Sequence, residues 1–460
     1  MKNQDWLLVA LALALPVATL LALPYLPALG RPGPVFSAGD RFPSSPVPFR
    51  RQAMPMANEA KQLPLITNVQ VVDLDGDGAV EVLSCDALGH RVIRFDRTGQ
   101  GTWRESTLVD RVPYPAHATV VDIDGDGDRD VIVAALGDIL PSDAVVGQVV
   151  LFEKRDEGYE RRLLLDDVRR VADVQPGDFD GDGDIDLAVA VFGYSRGEVL
   201  WLENQGDYSF ADHVLLSGAG PIHVPVADFD GDGDLDIAAI MSQDDEELWG
   251  FENQGGGRFT RTRIWQTPNH DLGSAGLVAS DLDQDGDVDL ILPVGDNLED
   301  FDAFPQPYHG CLWFENQGGW KFVERRIATL GGTYAAAVDD LDGDGDCDVV
   351  LASMTNDWTD PGNASLVWLE NDGRQSFRTW QIDNDPIHLV TVATGDVDGD
   401  GRPDVVAGSL NHRRPYQRVG GTTAWLNEGT GSRATDLRRT RGEEAGTAIV
   451  PAAAPAEEKP

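Results

Sequence analysis

Cysteine is almost missing from this chain. Three residues among 460, Cys85, Cys311 and Cys347, permit one disulfide at most. None stands in a CxxC, CxxCH or Cys/His spacing, which argues against a cysteine-built zinc module or a disulfide-stapled scaffold. All three read as small buried apolar residues. Basic residues are scarce as well: 36 Lys and Arg against 78 Asp and Glu give a formal charge of −42. A phosphate-binding surface needs a basic patch, so the balance argues against nucleic acid as a partner. No nucleophile elbow, phosphate-binding loop or dinucleotide fingerprint is present, and beyond the N-terminus no stretch reads as helical.

One long uncharged run exists. Residues 6–29 (WLLVALALALPVATLLALPYLPAL) carry no charge over 24 positions, which as a helix would reach ~36 Å, enough to span a bilayer core. Pro16, Pro24 and Pro27 would disturb that helix, and Ala28-Leu29-Gly30 offers a small-residue cleavage site. Residues 1–30 are therefore expected to be a signal peptide or an N-terminal transmembrane anchor, followed by a linker over 31–46. Either way the body is expected outside the cytoplasm: secreted, periplasmic, or held to the membrane by the uncleaved segment.

What the chain has in abundance is one acidic loop, repeated. It reads DLDGDGAVE from Asp73, DIDGDGDRD from Asp122, DFDGDGDID from Asp178, DFDGDGDLD from Asp228, DLDQDGDVD from Asp281, DLDGDGDCD from Asp340 and DVDGDGRPD from Asp396. A motif returning at intervals of 49 to 59 residues signals a repeat architecture. Oxygen ligands at alternate positions with glycine between them suit a hard divalent cation, and calcium tolerates the irregular geometry of a short loop. Positions 1, 3, 5 and 9 are the expected ligands. They are Asp73, Asp75, Asp77 and Glu81; Asp122, Asp124, Asp126 and Asp130; Asp178, Asp180, Asp182 and Asp186; Asp228, Asp230, Asp232 and Asp236; Asp281, Asp283, Asp285 and Asp289; Asp340, Asp342, Asp344 and Asp348; and Asp396, Asp398, Asp400 and Asp404. Position 7, which varies to Ala79 and Arg402, would offer its carbonyl. The last loop, with Arg402 and Pro403, departs most from the pattern. Up to seven calcium ions are expected, and seven would bring the net charge from −42 to −28.

Each loop sits in one layout. An apolar strand leads in, a β-branched strand leads out (LDIAAIM, CDVVLAS), a third ends in an aromatic tail (VLWLENQG, CLWFENQG, LVWLENDG), and a fourth follows (FTRTRIW, FVERRIA). Four short strands per unit of about 50 residues predict an all-β, seven-bladed β-propeller over 47–431. Trp201, Trp249, Trp313, Trp368 and Trp425 in the tails read as packing between blades. The seventh unit lacks a clear fourth strand, whereas 47–56 (VPFRRQAMPM) resembles one. An N-terminal strand is thus expected to pair with the third strand of the last blade and close the ring. Residues 432–460, charged and then Ala/Pro-rich, are expected to be a disordered tail.

The loops and the WLENQG tails resemble those of FG-GAP/VCBS repeat proteins, including the calcium-bearing propeller blades of integrin α-subunits. The resemblance implies the propeller fold and calcium as cofactor. It leaves activity open, since such propellers serve as adhesion modules, assembly subunits and polysaccharide-lyase domains.

Function must then come from the face opposite the loops. Five residues before each loop stand Asn68, His117, Asp173, His223, Gly276, Ala335 and Thr391, with His388 one register off. The longest variable loop, 295–310, offers Asp296, Asn297, Glu299, Asp300, Asp302, Tyr308 and His309, and 356–360 and 411–418 add further polar groups. The leading expectation is a non-enzymatic module that binds a protein or glycan on this face. The alternative is a carbohydrate-active enzyme of polysaccharide-lyase type, for which His117, His223, Tyr308 and His309 are the candidate catalytic residues.

Overall fold

The computed structural model describes residues 40–56, 63–99, 101–243, 245–296, 298, 304–412 and 414–429. The expected signal or anchor segment 1–30, most of the linker and the tail 432–460 lie outside the described residues. So do Asn297, Glu299, Asp300 and Asp302. Among the described residues there are 28 strands and no helix, hence none long and apolar enough to cross a membrane.

Strand β1 (Phe49–Ala53) precedes the first unit, which holds β2 (Ile66–Val72), β3 (Glu81–Asp86), β4 (Arg91–Arg97) and β5 (Trp103–Asp110). The second unit holds β6 (Pro115–Val121), β7 (Asp130–Ala135), β8 (Val145–Arg155) and the start of β9 (Gly158–Gly177). The third takes the end of β9, then β10 (Asp186–Phe192), β11 (Gly197–Asn204) and β12 (Phe210–Gly218). The fourth has β13 (Pro221–His223), β14 (Val226–Ala227), β15 (Asp236–Met241), β16 (Glu246–Asn253) and β17 (Phe259–Thr267). The fifth has β18 (Val278–Ser280), β19 (Asp289–Val294), β20 (Gly310–Asn316) and β21 (Phe322–Ala328). The sixth has β22 (Thr333–Asp339), β23 (Asp348–Ser353), β24 (Leu366–Asn371) and β25 (Phe377–Asp383), and the last β26 (Leu389–Gly395), β27 (Asp404–Ser409) and β28 (Thr422–Asn427).

Every pairing between these strands is antiparallel, and most units are four-stranded sheets in sequence order. Two departures stand out. Strand β9 runs without a break from the outer edge of the second unit into the inner edge of the third, fusing them into one seven-stranded sheet. In the fourth unit the inner strand is split into β13 and β14, with Pro225 between them. The last sheet runs β1-β28-β27-β26, with Phe49 opposite Asn427 and Ala53 opposite Thr423.

Burial explains the strand composition. The second strand of each unit is buried along its whole length, as in DVVLAS of β23. A strand covered on both faces needs an unbroken apolar run. The fourth strands are mostly exposed or half-exposed, as in FVERRIA of β21, where Val323 to Arg326 are exposed. Buried clusters then join each unit to the next. Leu83 and Val92 meet Val131 and Val150, and Ile132 and Leu151 meet Val189 and Leu200. Trp201 meets Ile237 and Phe251, and Ile240 and Leu248 meet Leu290 and Phe314. Trp313 meets Val349 and Leu369, and Trp368 meets Val405 and Trp425. A last cluster joins Val406 and Leu426 of the final unit to Val82 and Phe95 of the first.

Candidate functional site

The acidic loops join the first strand of each unit to the second, so all of them leave the sheets at the same end. Their internal bonding repeats. The position-9 carboxylate accepts the N–H of position 2 in all seven, from Leu74 to Glu81 at 3.0 Å through Phe229 to Asp236 at 2.9 Å and Val397 to Asp404 at 3.0 Å. In units two to seven its other oxygen accepts an amide of the third strand, as from Asn253 to Asp236 at 2.7 Å. The position-1 carboxylate accepts the N–H of position 6, for example Gly233 to Asp228 at 2.9 Å. Position 4 turns through the left-handed region, which favours glycine, and Gly231 has φ 77°. The fifth loop places Gln284 there, at φ 58°, and that side chain reaches across to donate to the Gly345 carbonyl at 2.9 Å in the next loop.

These loops fit a cation. In Asp122/Asp124/Asp130, Asp178/Asp180/Asp186, Asp228/Asp230/Asp236 and Asp281/Asp283/Asp285 the carboxylate oxygens lie within 4.8 Å of one another. Oxygens bound at 2.3–2.6 Å to one ion span no more than about 5 Å. Three buried oxygens, Asp122 Oδ1, Asp283 Oδ1 and Asp398 Oδ1, have no hydrogen-bond partner among the described residues, a cost that a bound cation would remove. Burial, reinforced by neighbouring loop carboxylates, pushes Asp236, Asp289 and Asp404 up to about 7, Asp186 to about 6 and Asp348 to about 8. Several carboxylates held this close without a countercharge retain protons.

The first loop differs. Arg94 donates to Asp75 Oδ2 at 2.9 Å and to Glu81 Oε1 at 2.8 Å. It lies opposite Leu83, the register position where Trp313 and Trp368 stand opposite Ile291 and Val350. A guanidinium thus spans two of the expected ligands. In the last loop, where Arg402 drew suspicion, that side chain turns to the Asn427 carbonyl at 2.9 Å and pairs with Asp400 alone, leaving Asp396, Asp398 and Asp404 clear of it. Arginine therefore stands against expected ligands in both the first and the last loop, and the Asp73, Asp75 and Glu81 oxygens, like those of loops two to five, lie within 4.8 Å of one another.

Sequence reasoning missed the asparagine of the tail. Asn253 Nδ2 donates to the Leu235 carbonyl of its own loop at 3.1 Å and to the Phe179 carbonyl of the preceding loop at 2.7 Å. Asn316 does the same to Val288 and Phe229, and Asn427 to Pro403 and Leu341. One side chain thus ties two units together beside the acidic loops. Its recurrence at a fixed offset was the available signal.

At the inner edge, the first strands of six units carry a one-residue bulge immediately before the rim residue, as between Ile66 and Asn68 or Pro115 and His117. Bulges re-aim side chains. The Asn68, Asp173 and Thr391 side chains each accept the amide one residue past the rim position of the next unit: Ala118 at 3.5 Å, Val224 at 3.0 Å and Val69 at 3.0 Å. His117 and His223 meet at Asp173, with Nδ1 atoms 3.2 and 3.6 Å from its two oxygens. Burial opposes the Asp173 charge, but the two imidazoles and the Val224 amide outweigh it and hold the carboxyl well below its usual range. Burial lowers His117, so the ring is neutral near pH 7.

His309 stands apart from that group. Its Nδ1 accepts the amides of Gln306 and Gly332 at 3.2 and 3.0 Å, and burial brings its pKa down to about 4. Tyr308 packs edge-on against it. His388 is buried between the carbonyls of Met354 and Pro415. The candidate catalytic residues therefore divide into a His117/His223 pair and a separate Tyr308/His309 pair held by backbone. On the loops between second and third strands, Leu140, Tyr194, Phe304, Tyr416 and Val419 are exposed, and Val145 and Val146 are exposed where β8 begins.

Comparison with known proteins agrees with this architecture. The model of the FG-GAP-like repeat matches residues 73–133, 178–239, 228–292 and 340–407. No curated protein matches the chain. Among solved structures, BBS1N from its crystal with ARL6DN, soaked with lead, is similar over 86% of this chain and 98% of that chain, with 12% identity and a TM-score of 0.50, a likeness of fold alone. The V. cholerae biofilm matrix protein Bap1 matches over 78% of this chain and 77% of that chain, with 13% identity and a TM-score of 0.38.

Proposed function

Because this chain belongs to the FG-GAP-like repeat family, we propose that residues 47–431 form a seven-bladed β-propeller that carries calcium in its acidic loops and binds a protein or glycan on the opposite face, without catalysis. Seven blades are supported by the chain of inter-unit clusters that returns from the last unit to the first. Pairing of β1 with β28 supports closure by the N-terminal strand. Calcium bound to the loops would neutralise carboxylates that otherwise repel and let neighbouring units pack. The ligand sets of units two to seven suit it, while Arg94 supplies the positive charge in unit one. A calcium-requiring protein suits export, for which 1–30 would serve as signal or anchor.

The observation that carries the binding reading is where exposed apolar side chains collect. Of the ten large ones among the described residues, seven sit on or beside the loops between second and third strands, the end of each sheet away from the acidic loops: Leu140, Val145, Val146, Tyr194, Phe304, Tyr416 and Val419. Apolar groups gathered on one face mark an interaction surface, and aromatic ones suit both glycan rings and protein side chains. The test is binding of the calcium-loaded protein to immobilised polysaccharides and extracellular-matrix polypeptides. The Y194A/F304A/Y416A variant is expected to lose binding while keeping its stability within ~0.5 kcal/mol. Binding unchanged in that variant, or none by the wild type to any member of the panel, would refute the reading.

A further inference from the structure

The junction between units five and six is built unlike its neighbours. In units four, five and seven the tail asparagine reaches back to the preceding loop: Asn253 to Phe179, Asn316 to Phe229 and Asn427 to Leu341. Among the described residues the Asn371 amide group donates only to the Cys347 carbonyl of its own loop, at 3.1 Å. The tie comes from the other side. Gln284 stands at position 4 of loop five, where the other six loops have glycine. It holds the left-handed backbone at φ 58°, which glycine takes more readily. Its Nε2 donates to the Gly345 carbonyl at 2.9 Å and to Cys347 Sγ at 3.4 Å, both in loop six. These bonds join one ligand-bearing backbone to the other. The close oxygens of loop five belong to Asp281, Asp283 and Asp285, so Gln284 lies within the ligand arc. Gly345 follows Asp344, and its own amide donates to Asp340 Oδ2 at 2.9 Å. The asparagine ties end instead on position 2, outside the ligand set.

We infer that Gln284 makes loops five and six a cooperative pair of Ca²⁺ sites, with a positive coupling carried by this one side chain. The inference rests on the calcium reading of the loops. An ion in loop six fixes Asp340 and Asp344, and with them the Gly345 carbonyl that receives Gln284. Gln284, once held, fixes the backbone between Asp283 and Asp285 before the second ion arrives. Whichever loop fills first thus lowers the ordering cost of filling the other. By linkage the effect on affinity is equal in both directions. One neutral hydrogen bond, ~1 kcal/mol net, corresponds to a coupling of about fivefold.

Native mass spectrometry of the full chain counts bound ions across a titration of free Ca²⁺, in wild type, Q284G, D342N and D342N/Q284G. D342N removes a ligand of loop six and is expected to lose one ion at saturation in either background. With Gln284 present, one further ion should then need about fivefold more Ca²⁺, and adding D283N should abolish that ion. In the Q284G background no further ion should shift. Loss of one ion without that shift, or the same shift in both backgrounds, overturns the coupling and leaves the calcium reading standing. A count that neither D283N nor D342N lowers shows the two loops empty and overturns the calcium reading of these loops together with the coupling. Melting curves in Ca²⁺ identify any variant that does not fold. Q284N, which tolerates the left-handed backbone and falls one methylene short of Gly345, then replaces Q284G, and D344N replaces D342N.

Discussion

Removing calcium should invert the pH dependence of stability. In the folded chain, burial, aided by neighbouring carboxylates and only partly offset by amide hydrogen bonds, raises Asp236, Asp289 and Asp404 from 3.8 to about 7, Asp186 to about 6 and Asp348 to about 8. A carboxyl whose folded pKa exceeds its unfolded one holds its proton more tightly when folded. Its contribution is full below pH 3.8 and is lost as pH rises through the folded value. At about 1.4 kcal/mol per pH unit, Asp236 alone would withdraw ~4 kcal/mol by pH 7. Five such groups would exceed the 5–15 kcal/mol that holds a typical domain, so metal-free loops must open locally before all are ionised. The measured loss is then capped at several kcal/mol, a fall of at least about 10 °C in melting temperature between pH 5 and 8. With calcium present the sign reverses, because protons compete with the ion for the same oxygens and affinity rises with pH. The assay is differential scanning calorimetry from pH 5 to 8. Because chelators weaken in acid, calcium is stripped beforehand on a chelating resin, and matched samples contain excess Ca²⁺. A metal-free melting temperature that stays level or rises over this range would refute the reasoning. So would calcium that adds no stability at pH 8.

Native mass spectrometry on the calcium-loaded chain should count one ion fewer in D230N than in the wild type, but no fewer in D75N, because Arg94 already occupies that loop; loss of one ion in D75N would show that it binds. Asn316→Ala should cost ~2–4 kcal/mol by chemical denaturation, since two buried carbonyls lose their donor and the Gly318 amide its acceptor, while a cost below ~1 kcal/mol would mean that the tie between units is slack. R94L should destabilise calcium-free protein and regain stability on adding Ca²⁺ as the first loop takes an ion; equal destabilisation with and without calcium would show that the site cannot be converted.

Much of this architecture is legible in the chain because the repeat repeats its chemistry. The acidic loops locate the first-to-second strand turns, and the β-branched runs after them locate strands buried on both faces. The tail tryptophans mark packing between units: Trp313, Trp368 and Trp425 are buried in the clusters that join neighbours. What escaped depends on register and distance. Arg94 looks like an ordinary strand residue until the pairing with Leu83 places it over Asp75 and Glu81. Continuity of β9 has no local signal, since nothing in its sequence distinguishes a strand that turns back from one that continues into the next unit. Nor does spacing alone show that Asp173 collects His117 and His223 while His309 is locked by the Gln306 and Gly332 amides. Bulges set the rim side chains, and a bulge is a property of two strands together.

The loops and the asparagines act as one device. The position-9 carboxylate binds the N–H of position 2, and the carbonyl of that same residue accepts the asparagine of the next unit, as Phe229 links Asp236 to Asn316. A cation bound beside Asp236 would therefore fix a peptide plane on which the neighbouring unit hangs. Withdrawing the ion should loosen the joint between units before it melts either sheet. The junction of the last and first units is built differently. Position 97 in the first unit is arginine where the tails of units three to seven have asparagine, and its guanidinium stands 3.6 Å from Asp398 of the last loop, while Gln52 of β1 donates to the Gly101 carbonyl at 3.0 Å. With Arg94 neutralising the first loop, this junction relies on side-chain cations where β1 pairs with β28. Hydrogen exchange after calcium removal should therefore spread first through units three to six, with the β1–β28 pairing exchanging last. Early exchange at β28 would show that the arginines do not substitute for the ion.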